Sequence, residues 1–467
     1  MEKETKKDKF ETINPTNGKT IASYQYMSEG DVESTIQKSH EAFMDWRLKS
    51  FEERGKIIQS IGSELKNQKS ELAQLMTDEM GKLLKQSHQE VKLCAAICNY
   101  CAENAREILK NEERELLSGG KGIITYKPLG IIYGIQPWNY PSYQVIRYTI
   151  TNLMAGNSVL LKHAANVTGT AKLLEFIFKT AGLPDGLFSV MIIDHDQSEA
   201  IIKNKLVRGV TLTGSPEAGK IIGKQAGEQL KKTVLELGSN DAYLVLHDAD
   251  LEKAVQLSVQ GRIYNNGETC IAAKRFIAVE TVYDQFKDAF VKAMSELKLG
   301  DPNEENTHLG PMARKDLREK LHDQVTESVE KGAEILCGGK PKDGDGYYYP
   351  ATVLGNVKPG QPAYDDELFG PVASLIKAKD EADAIRIAND SRFGLGGGIF
   401  SEDVKRATKI AETYFDTGMV FINSFGLAEP NMPFGGVKDS GYGREHGGFG
   451  MKEFVNAKSI LITADKK

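Results

Sequence analysis

The chain has 467 residues, of which 40% are hydrophobic and 27% charged, and its formal net charge is -6 at pH 7. That length supports two or three domains with their own hydrophobic cores. An acidic chain lacks the basic surface that nucleic acid requires, which excludes nucleic acid as the main partner. The Lys-rich start has no apolar segment behind it, and no stretch reaches the roughly 18 apolar residues of a membrane span. We therefore expect a cytoplasmic protein with neither a signal peptide nor a membrane anchor.

The first hundred residues are predicted to be mainly helical after a short strand at residues 21–26. Ser50 followed by Glu53 has the form of a capping box and predicts a helix that runs to about Asn67. A further helix is expected over residues 82–110, where neither Gly nor Pro interrupts the sequence.

Three of the five cysteines, Cys94, Cys98 and Cys101, have the C-x3-C-x2-C spacing that holds an iron–sulfur cluster in some enzymes. Cluster ligands normally come from a flexible loop. Here the positions are i, i+4 and i+7 of a predicted helix, so the three side chains share one apolar face. We interpret them as core residues and expect no metal site.

From residue 122 onward, apolar segments rich in β-branched residues alternate with amphipathic helical stretches. The predicted strands are 131–135, 158–161, 208–212, 243–246 and 276–279. Such alternation predicts βαβ units and parallel sheets. We expect two α/β domains that meet near Gly238, flanked by β-rich segments at 120–127 and 454–465.

Three polar residues have the chemistry of an acyl-transfer site. Cys270 follows a Gly-containing turn, where a thiolate can act as a nucleophile; the alternative is a buried structural cysteine. Glu236 ends an apolar strand, so its pKa can be raised for service as a general base; otherwise it is a surface charge. Asn139 lies in a turn between two prolines, where its amide can stabilise an oxyanion or only satisfy the turn.

A possible phosphate site lies where a strand turns through Gly214 and Ser215 into a helix that begins with Pro216. A helix N-terminus after a small-residue turn binds pyrophosphate readily, although the G-x-G-x-x-G fingerprint is absent. Lys162, at the end of an earlier strand, could reach an adenosine ribose or its phosphate, or could simply be solvated.

These segments together resemble the aldehyde dehydrogenases over essentially the whole chain. The matching segments, in the family's order and spacing, are 137–141, 213–215, 235–238, 267–270, 367–372, 393–395, Asn423 and 433–438. The resemblance implies an α/β fold with two doubly wound parallel-sheet domains and a β oligomerisation arm. Residues 1–117 and 131–237 would form the dinucleotide-binding domain, 238–434 the catalytic domain, and 118–130 with 435–467 the arm and C-terminal segment.

The resemblance also implies roles for single residues: Cys270 as nucleophile, Asn139 as oxyanion donor and Glu236 as the base for deacylation. The cofactor would be NAD or NADP, and the implied binding residues are Trp138, Lys162, Gly214, Ser215, Leu237, Glu367 and Phe369. A homodimer or homotetramer is expected.

The sequence departs from the common family pattern at three positions. Glu268 replaces a common Gln and adds negative charge beside the thiolate, unless its side chain points away. Ser239 replaces a common glycine, a mild change. Ala165 stands where NAD-specific members often carry Glu; because a carboxylate there would repel a 2′-phosphate, NADP stays possible.

Arg147 is the main indication of the substrate. It lies eight positions after Asn139, which on a helix over about 140–153 places both near one face, towards the substrate entrance. The matching position in succinate-semialdehyde dehydrogenases carries the arginine that holds the distal carboxylate, and residues 162–169 resemble one bacterial branch of that group. A second arginine is not matched because Tyr264 stands there; Arg262 could substitute for it. Phe434 is a further expected substrate contact.

The implied reaction is oxidation of succinate semialdehyde to succinate through a Cys270 thioester. The alternatives are another aliphatic aldehyde, or a CoA-acylating enzyme of the same fold. Retention of Glu236 argues against the second, because hydrolysis needs that base. The intact set of Cys270, Asn139 and Glu236 also argues against a catalytically silent binding protein.

Overall fold

The computed structural model of the chain describes residues 9–463. The expectations for most of the Lys-rich start and for the last four residues of the C-terminal segment lie outside the described residues. Within the described range, none of the helices is both long enough and apolar enough to cross a membrane.

The N-terminal region is a β-hairpin followed by four helices. Its elements are β1 (Lys9–Ile13), β2 (Thr20–Gln25), α1 (Glu29–Trp46), α2 (Phe51–Asn67), α3 (Lys69–Met80) and α4 (Leu84–Ile108). The capping box at Ser50 is confirmed, because its hydroxyl accepts from the Glu53 N–H while the Glu53 carboxylate accepts from the Ser50 N–H. Cys94, Cys98 and Cys101 are all buried on α4, which confirms the core interpretation.

An alternation of strands and helices follows. Its elements are β3 (Glu112–Glu115), β4 (Gly120–Pro128), β5 (Ile131–Gln136), α5 (Tyr143–Ala155), β6 (Ser158–His163), α6 (Thr168–Thr180), β7 (Phe188–Val190), α7 (His195–Lys203), β8 (Val207–Thr213), α8 (Pro216–Glu228) and β9 (Lys232–Glu236). Strands β9, β8, β5, β6 and β7 are adjacent in that order and parallel. Val159 and Leu161 of β6 pack into one apolar cluster and Leu160 into another, so helices cover both faces of this sheet.

The next part of the chain builds a second α/β unit. Its elements are β10 (Ala242–Val245), α9 (Leu251–Ile263), β11 (Arg275–Val279), α10 (Glu280–Ser295), α11 (Lys315–Glu330), β12 (Glu334–Cys337), β13 (Thr352–Gly355), α12 (Pro362–Asp365), β14 (Val372–Ala378), α13 (Glu381–Asn389), β15 (Phe393–Gly394), β16 (Gly397–Phe400), α14 (Val404–Thr413) and β17 (Phe421–Ile422). Strands β13, β14, β11, β10, β16 and β17 are parallel neighbours, with β12 antiparallel at one edge.

The C-terminal segment returns to both the first sheet and the β-rich arm. Its elements are β18 (Val437–Lys438), β19 (Gly441–Tyr442), α15 (Phe449–Glu453) and β20 (Val455–Thr463). β19 pairs antiparallel with β9, so part of the predicted arm segment joins the sheet of the first α/β unit. β20 pairs along its whole length with β4, which also pairs with β3. The exact domain boundaries stay a prediction.

The parallel strands of the first sheet end at a common edge, and this edge positions the site. Gln136 of β5 is in register with His163 of β6, and Thr213 of β8 with Glu236 of β9. Ligands of open α/β sheets bind in the crevice beyond the carboxyl ends of the strands. The turn that carries Asn139 follows β5, and the turn that carries Ser215 follows β8.

Candidate active site

A cavity of about 350 Å³ lies beyond this edge, between the first sheet and the loops of the second α/β unit. It brings together most of the residues predicted for catalysis and cofactor binding. Those that line it are Trp138, Asn139, Gly214, Ser215, Leu237, Cys270, Glu367 and Phe369. Glu236 and Lys162 are not among the lining residues.

The loop before Cys270 has an unusual backbone. Asn265 and Asn266 have φ angles of 56° and 57°, and Gly267 has φ of 77°. A Cβ on Gly267 would lie 2.5 Å from the carbonyl carbon and oxygen of Gly370, so only glycine fits. Asn265 Nδ2 donates to the carbonyl oxygen of Asn139 at 2.9 Å, which ties this loop directly to the Asn139 turn. The loop therefore fixes the nucleophile at the cavity wall.

The Cys270 thiol lies in an apolar setting with two cations nearby. Burial raises the pKa of Cys270 to about 12, against the opposing charges of Arg147 and Lys274. Lys274 Nζ also donates to the backbone oxygen of Cys270 at 2.6 Å. The thiol is neutral at physiological pH in this state, so its activation depends on what binds beside it.

Asn139 faces the same cavity as the thiol. Its Nδ2 donates to the carbonyl oxygen of Glu268 at 3.1 Å, and the residue is buried. The Glu268 carboxylate does not lie towards the cavity: its Oε1 accepts from the N–H of Ala313 at 3.1 Å. Burial raises the pKa of Glu268 well above its ordinary value, which favours the protonated form. The carboxyl group of Glu268 is therefore directed to Ala313 rather than to the nucleophile.

Glu236 is a buried carboxyl group at the end of β9. Both of its carboxyl oxygens are buried without a hydrogen-bond partner. Burial raises the pKa of Glu236 well above its ordinary value, while the positive charge of Arg147 lowers it. A Cβ on Gly435 would lie 2.7 Å from Glu236 Oε1, so a glycine there leaves the carboxyl group room. An unpaired buried carboxyl group with a raised pKa is what a general base near neutral pH requires.

Arg147 is fully buried on α5, which begins at Tyr143 rather than near residue 140. Its guanidinium forms an ion pair with Glu445, and Nη2 donates to Thr213 Oγ1 at 3.1 Å. Its central carbon lies 4.5 Å from the centroid of the Phe434 ring. The sequence predicts Arg147 on a helix face towards the substrate entrance; in the structure it is an internal cation that already has a carboxylate partner, and its role as a substrate anchor stays a prediction.

Arg262 is also placed away from the cavity. It is fully buried near the end of α9, and its Nη2 donates to the carbonyl oxygen of Gly267 at 2.7 Å. Burial lowers its pKa to about 9. The sequence predicts Arg262 as a substrate contact, but in the structure it supports the loop that precedes Cys270. Tyr264, which stands at the position of the missing arginine, instead donates to Gln89 Oε1 at 2.9 Å.

Phe434 is buried and packs with Ile271 and Leu395 in an apolar cluster that Cys270 joins. Its ring also meets His446 edge-on, with centroids 6.4 Å apart. His446 lies against Tyr143, whose hydroxyl is 2.9 Å from Nε2. Burial lowers the pKa of His446 to about 3, so the ring is neutral. The aromatic wall formed by these residues lies beside both Arg147 and the nucleophile.

The outer part of the cavity has the features of a dinucleotide site. Ser215 caps α8 by accepting from the N–H of Ala218 at 3.2 Å, and Pro216 and Glu217 at the start of α8 line the cavity. Glu367 Oε1 accepts from the Ser239 N–H at 3.0 Å and lies 3.3 Å from Lys274 Nζ. A Cβ on Gly238 would lie 2.4 Å from Glu367 Oε2, so the glycine admits this carboxylate.

Two aromatic rings line the outer part of the cavity. Trp138 and Phe369 meet edge to face, with centroids 5.8 Å apart. Lys162 is mostly buried on β6; burial lowers its pKa, and the charge of Asp194 opposes that shift. Lys162 therefore lies on the neighbouring strand rather than in the cavity wall.

Comparison with known proteins identifies the family. The sequence model described as the aldehyde dehydrogenase family matches residues 1–460. The chain belongs to the aldehyde dehydrogenase family. It is 44% identical over 449 residues to the succinate semialdehyde dehydrogenase [NAD(P)+] Sad of Escherichia coli (strain K12), covering 96% of this chain and 97% of the relative. It is 40% identical to the succinate-semialdehyde dehydrogenase [NADP(+)] of Mycobacterium avium (strain 104), covering 97% of each.

Solved structures agree with the fold. The succinic semialdehyde dehydrogenase of Streptococcus pyogenes, determined in complex with NADP+, is similar to this dehydrogenase with a TM-score of 0.95. The two are 36% identical, and the match covers 97% of this chain and 100% of that one. The prediction of an aldehyde-dehydrogenase-like α/β fold is confirmed.

Several residues of the site carry no sequence signal of their own. Glu445 and His446 lie about 300 positions from Arg147, so nothing local links them to it. Lys274 follows the nucleophile by four positions and is fully buried, whereas a lysine is normally expected at the surface. For Lys274 alone the sequence offers a signal: it is a charged residue within the apolar segment 271–279.

Proposed function

We propose that this aldehyde dehydrogenase oxidises succinate semialdehyde to succinate with NAD or NADP as cofactor, through a thioester on Cys270. The observation that carries the proposal is the joint placement of Cys270 and Asn139 on one cavity, with a buried arginine acting on the thiol. The names of the two relatives at 44% and 40% identity support the same substrate.

The chain's own groups account for the acylation step. The Cys270 thiol releases its proton to solvent, the thiolate sulfur attacks the aldehyde carbon, and the resulting alkoxide is held by Asn139 Nδ2 and the backbone N–H of Cys270. Arg147 and Lys274 lower the pKa of the thiol, so they favour the attacking thiolate. A bound dinucleotide supplies the acceptor for the hydride that leaves the alkoxide carbon. The product of this step is a Cys270 thioester.

Deacylation depends on Glu236. Its carboxylate takes a proton from a water molecule, the water oxygen attacks the thioester carbonyl, and the Cys270 sulfur leaves. The absence of a hydrogen-bond partner for the carboxyl oxygens within residues 9–463 leaves them available for this water. Transfer to CoA would not need this group, so its retention favours hydrolysis.

Arg147 is the proposed anchor for the distal carboxylate. A guanidinium has five N–H donors, and the ion pair with Glu445 and the bond to Thr213 use only part of them. Its remaining neighbour, the Tyr143 hydroxyl, is 3.4 Å from Nη1, a long contact that a carboxylate can displace. A four-carbon substrate attached to Cys270 would place its carboxylate beside the Phe434 ring.

We propose that the enzyme can use either NAD or NADP. Ala165 begins a short 3-10 turn after β6 and provides no carboxylate to repel a 2′-phosphate. Lys162, near the end of β6, adds a cation three positions before Ala165.

Steady-state kinetics on Arg147→Gln test the substrate. Wild type is expected to prefer succinate semialdehyde strongly over propanal with NAD or NADP. Loss of a charge-assisted bond of roughly 1.5–3 kcal/mol lowers kcat/KM about 10–150-fold more for the semialdehyde than for propanal, because the effect of Arg147 on the Cys270 thiol is common to both aldehydes.

The matched control is the double variant Arg147→Gln/Glu445→Gln, which removes both charges of the pair. If the semialdehyde preference is lost in both variants while propanal oxidation persists, the loss comes from the anchor rather than from an uncompensated Glu445. Equal oxidation of both aldehydes by wild type would overturn the substrate proposal.

We also propose a homodimer or homotetramer, assembled through the arm, in the cytoplasm. β20 is an edge strand, and Ile460, Leu461 and Ile462 are exposed along it. An exposed apolar edge strand favours pairing with another chain. Light scattering on wild type and on Leu461→Lys tests this; a monomeric wild type would refute it.

A further inference from the structure

A second cavity, of about 480 Å³, lies between the loop from α1 to α2, the end of α4 and the start of the arm. None of its lining residues lines the catalytic cavity. We call it the basic cavity, because six of its lining residues are cations: Arg47, Lys49, Arg54, Arg106, Lys110 and Lys127. The whole chain, by contrast, carries a net charge of -6.

Arg54 is the innermost cation of the basic cavity. It is only 5% exposed, and its Nε is buried without a partner. Across residues 9–463, its guanidinium makes neither a hydrogen bond nor an ion pair with a protein group; it lies 4.9 Å from the centroid of the Phe51 ring, and the charge of Glu53 acts on it without a direct contact. A buried arginine without a partner is costly, and burial lowers its pKa to about 10.

The remaining charges of the basic cavity do not compensate Arg54. The single carboxylate in the wall, Glu52, forms an ion pair with Arg106. Lys49 and Lys110 pair with Glu53 and Glu107 of their own neighbouring helices.

Two further cations, Arg47 and Lys127, also lack a carboxylate partner in the part of the chain that the structure describes. Together with Arg54 they leave an excess of positive charge that faces one space. A multivalent anion would satisfy this excess more fully than a single carboxylate would.

The backbone around the cavity also favours an anion. The wall contains the N-terminus of α2, and the capping box uses the Glu53 N–H, which leaves the N–H groups of Phe51 and Glu52 free. At the opposite wall, Gly156 has φ of 99°, and a Cβ there would lie 2.3 Å from Arg54 Nη1. The turn after α5 therefore makes room for the guanidinium.

We propose that the basic cavity binds the phosphate group of a small phosphorylated molecule, with Arg54 as the buried anchor and Arg47 and Lys127 as the outer cations. This site is separate from the proposed dehydrogenase chemistry and does not depend on it. Its ligand is recognised through its charge and its tetrahedral oxygens.

Calorimetric titration of the full chain with pyrophosphate tests the proposal. The protein is first saturated with NADH, so that the cofactor cavity cannot take up the probe, and the ionic strength is held constant. Wild type is expected to bind pyrophosphate. The variant Arg47→Ala/Lys127→Ala, which changes only exposed side chains, is expected to bind at least about fivefold more weakly for each charge lost.

Arg54→Gln is expected to abolish binding. Because it alters a buried group, its fold is checked by aldehyde oxidation, which should persist. The matched control Lys253→Ala removes an exposed cation on α9 and should leave the affinity unchanged. Absence of binding to wild type, or equal affinity in wild type and the Arg47→Ala/Lys127→Ala variant, would overturn the proposal.

Discussion

The ion pair of Lys82 and Glu90 lies behind the catalytic turn, and both side chains are 1% exposed. Glu90 Oε1 accepts from the N–H groups of Ser142 and Tyr143, each at 2.8 Å, at the start of α5. Lys82 Nζ lies 4.1 Å from the centroid of the Tyr140 ring. The pair therefore holds the end of the turn that carries the oxyanion donor.

Glu90→Gln keeps an acceptor for the two amides but leaves the Lys82 charge without its partner. Removing one partner of a buried pair costs roughly 3–5 kcal/mol, which corresponds to a fall in Tm of roughly 6–20 °C. A shift of the turn by about 1 Å would lower kcat on the order of 100-fold. Differential scanning fluorimetry and cofactor reduction measure the two effects.

The control is Lys82→Met/Glu90→Gln, which removes both charges. Its Tm is expected to exceed that of Glu90→Gln, because no uncompensated charge remains. A Glu90→Gln protein with wild-type Tm and kcat would refute the reasoning, as would a double variant less stable than the single one.

Three further predictions concern the site itself. Glu236→Gln should give a burst of about one reduced cofactor per subunit and then stall, seen by stopped-flow absorbance; steady turnover would contradict it. Alkylation of Cys270 by iodoacetamide in the free enzyme should keep accelerating above the ordinary thiol pKa of about 8.5, because burial raises the pKa to about 12; a plateau there would contradict it. Gly219→Val should raise KM for the cofactor about tenfold with little change in kcat, because even a Cβ there would lie 2.5 Å from Leu237; Gly227→Val, with open space at its Cβ, is the control.

Local patterns were sufficient for the secondary structure that positions the site. The apolar run ending at Glu236 forms β9, and the proline at 216 begins α8, as their sequence signals indicate. The periodicity of the cysteines on α4 was likewise enough to distinguish a buried face from a metal site. In each case the deciding interactions lie within one element.

The environment of Arg147 could not be predicted in this way. Its helix was expected, but its partner Glu445 comes from a segment almost 300 positions later in the chain. Arg262 shows a different limit: the carbonyl group it binds belongs to Gly267, five positions later, and the loop there has left-handed backbone angles. Pairing with a distant segment determines where Arg147 points, and the shape of the adjacent nucleophile loop determines where Arg262 points.

Glu445 also controls the charge state of Glu236, and this leads to a last prediction. Arg147 acts on both carboxyl groups, and Arg444 acts more weakly on Glu236; burial raises the pKa of both groups, and the charge of Glu445 raises that of Glu236 further. Ionising both would place more negative charge in the interior than Arg147 balances, so an ionised Glu445 opposes loss of the Glu236 proton.

Glu445→Gln removes the competing charge and leaves Arg147 to act on Glu236 alone. The pKa of Glu236 should then fall, and the pH profile of deacylation should move to lower pH. Pre-steady-state thioester hydrolysis across pH measures this. Glu453→Gln is the control, because the charge of Glu453 also raises the pKa of Glu236, but by less than the charge of Glu445 does. An unchanged profile in Glu445→Gln would mean that Glu236 ionises independently of the pair. A shift towards higher pH would contradict the repulsion between the two carboxylates on which this prediction rests.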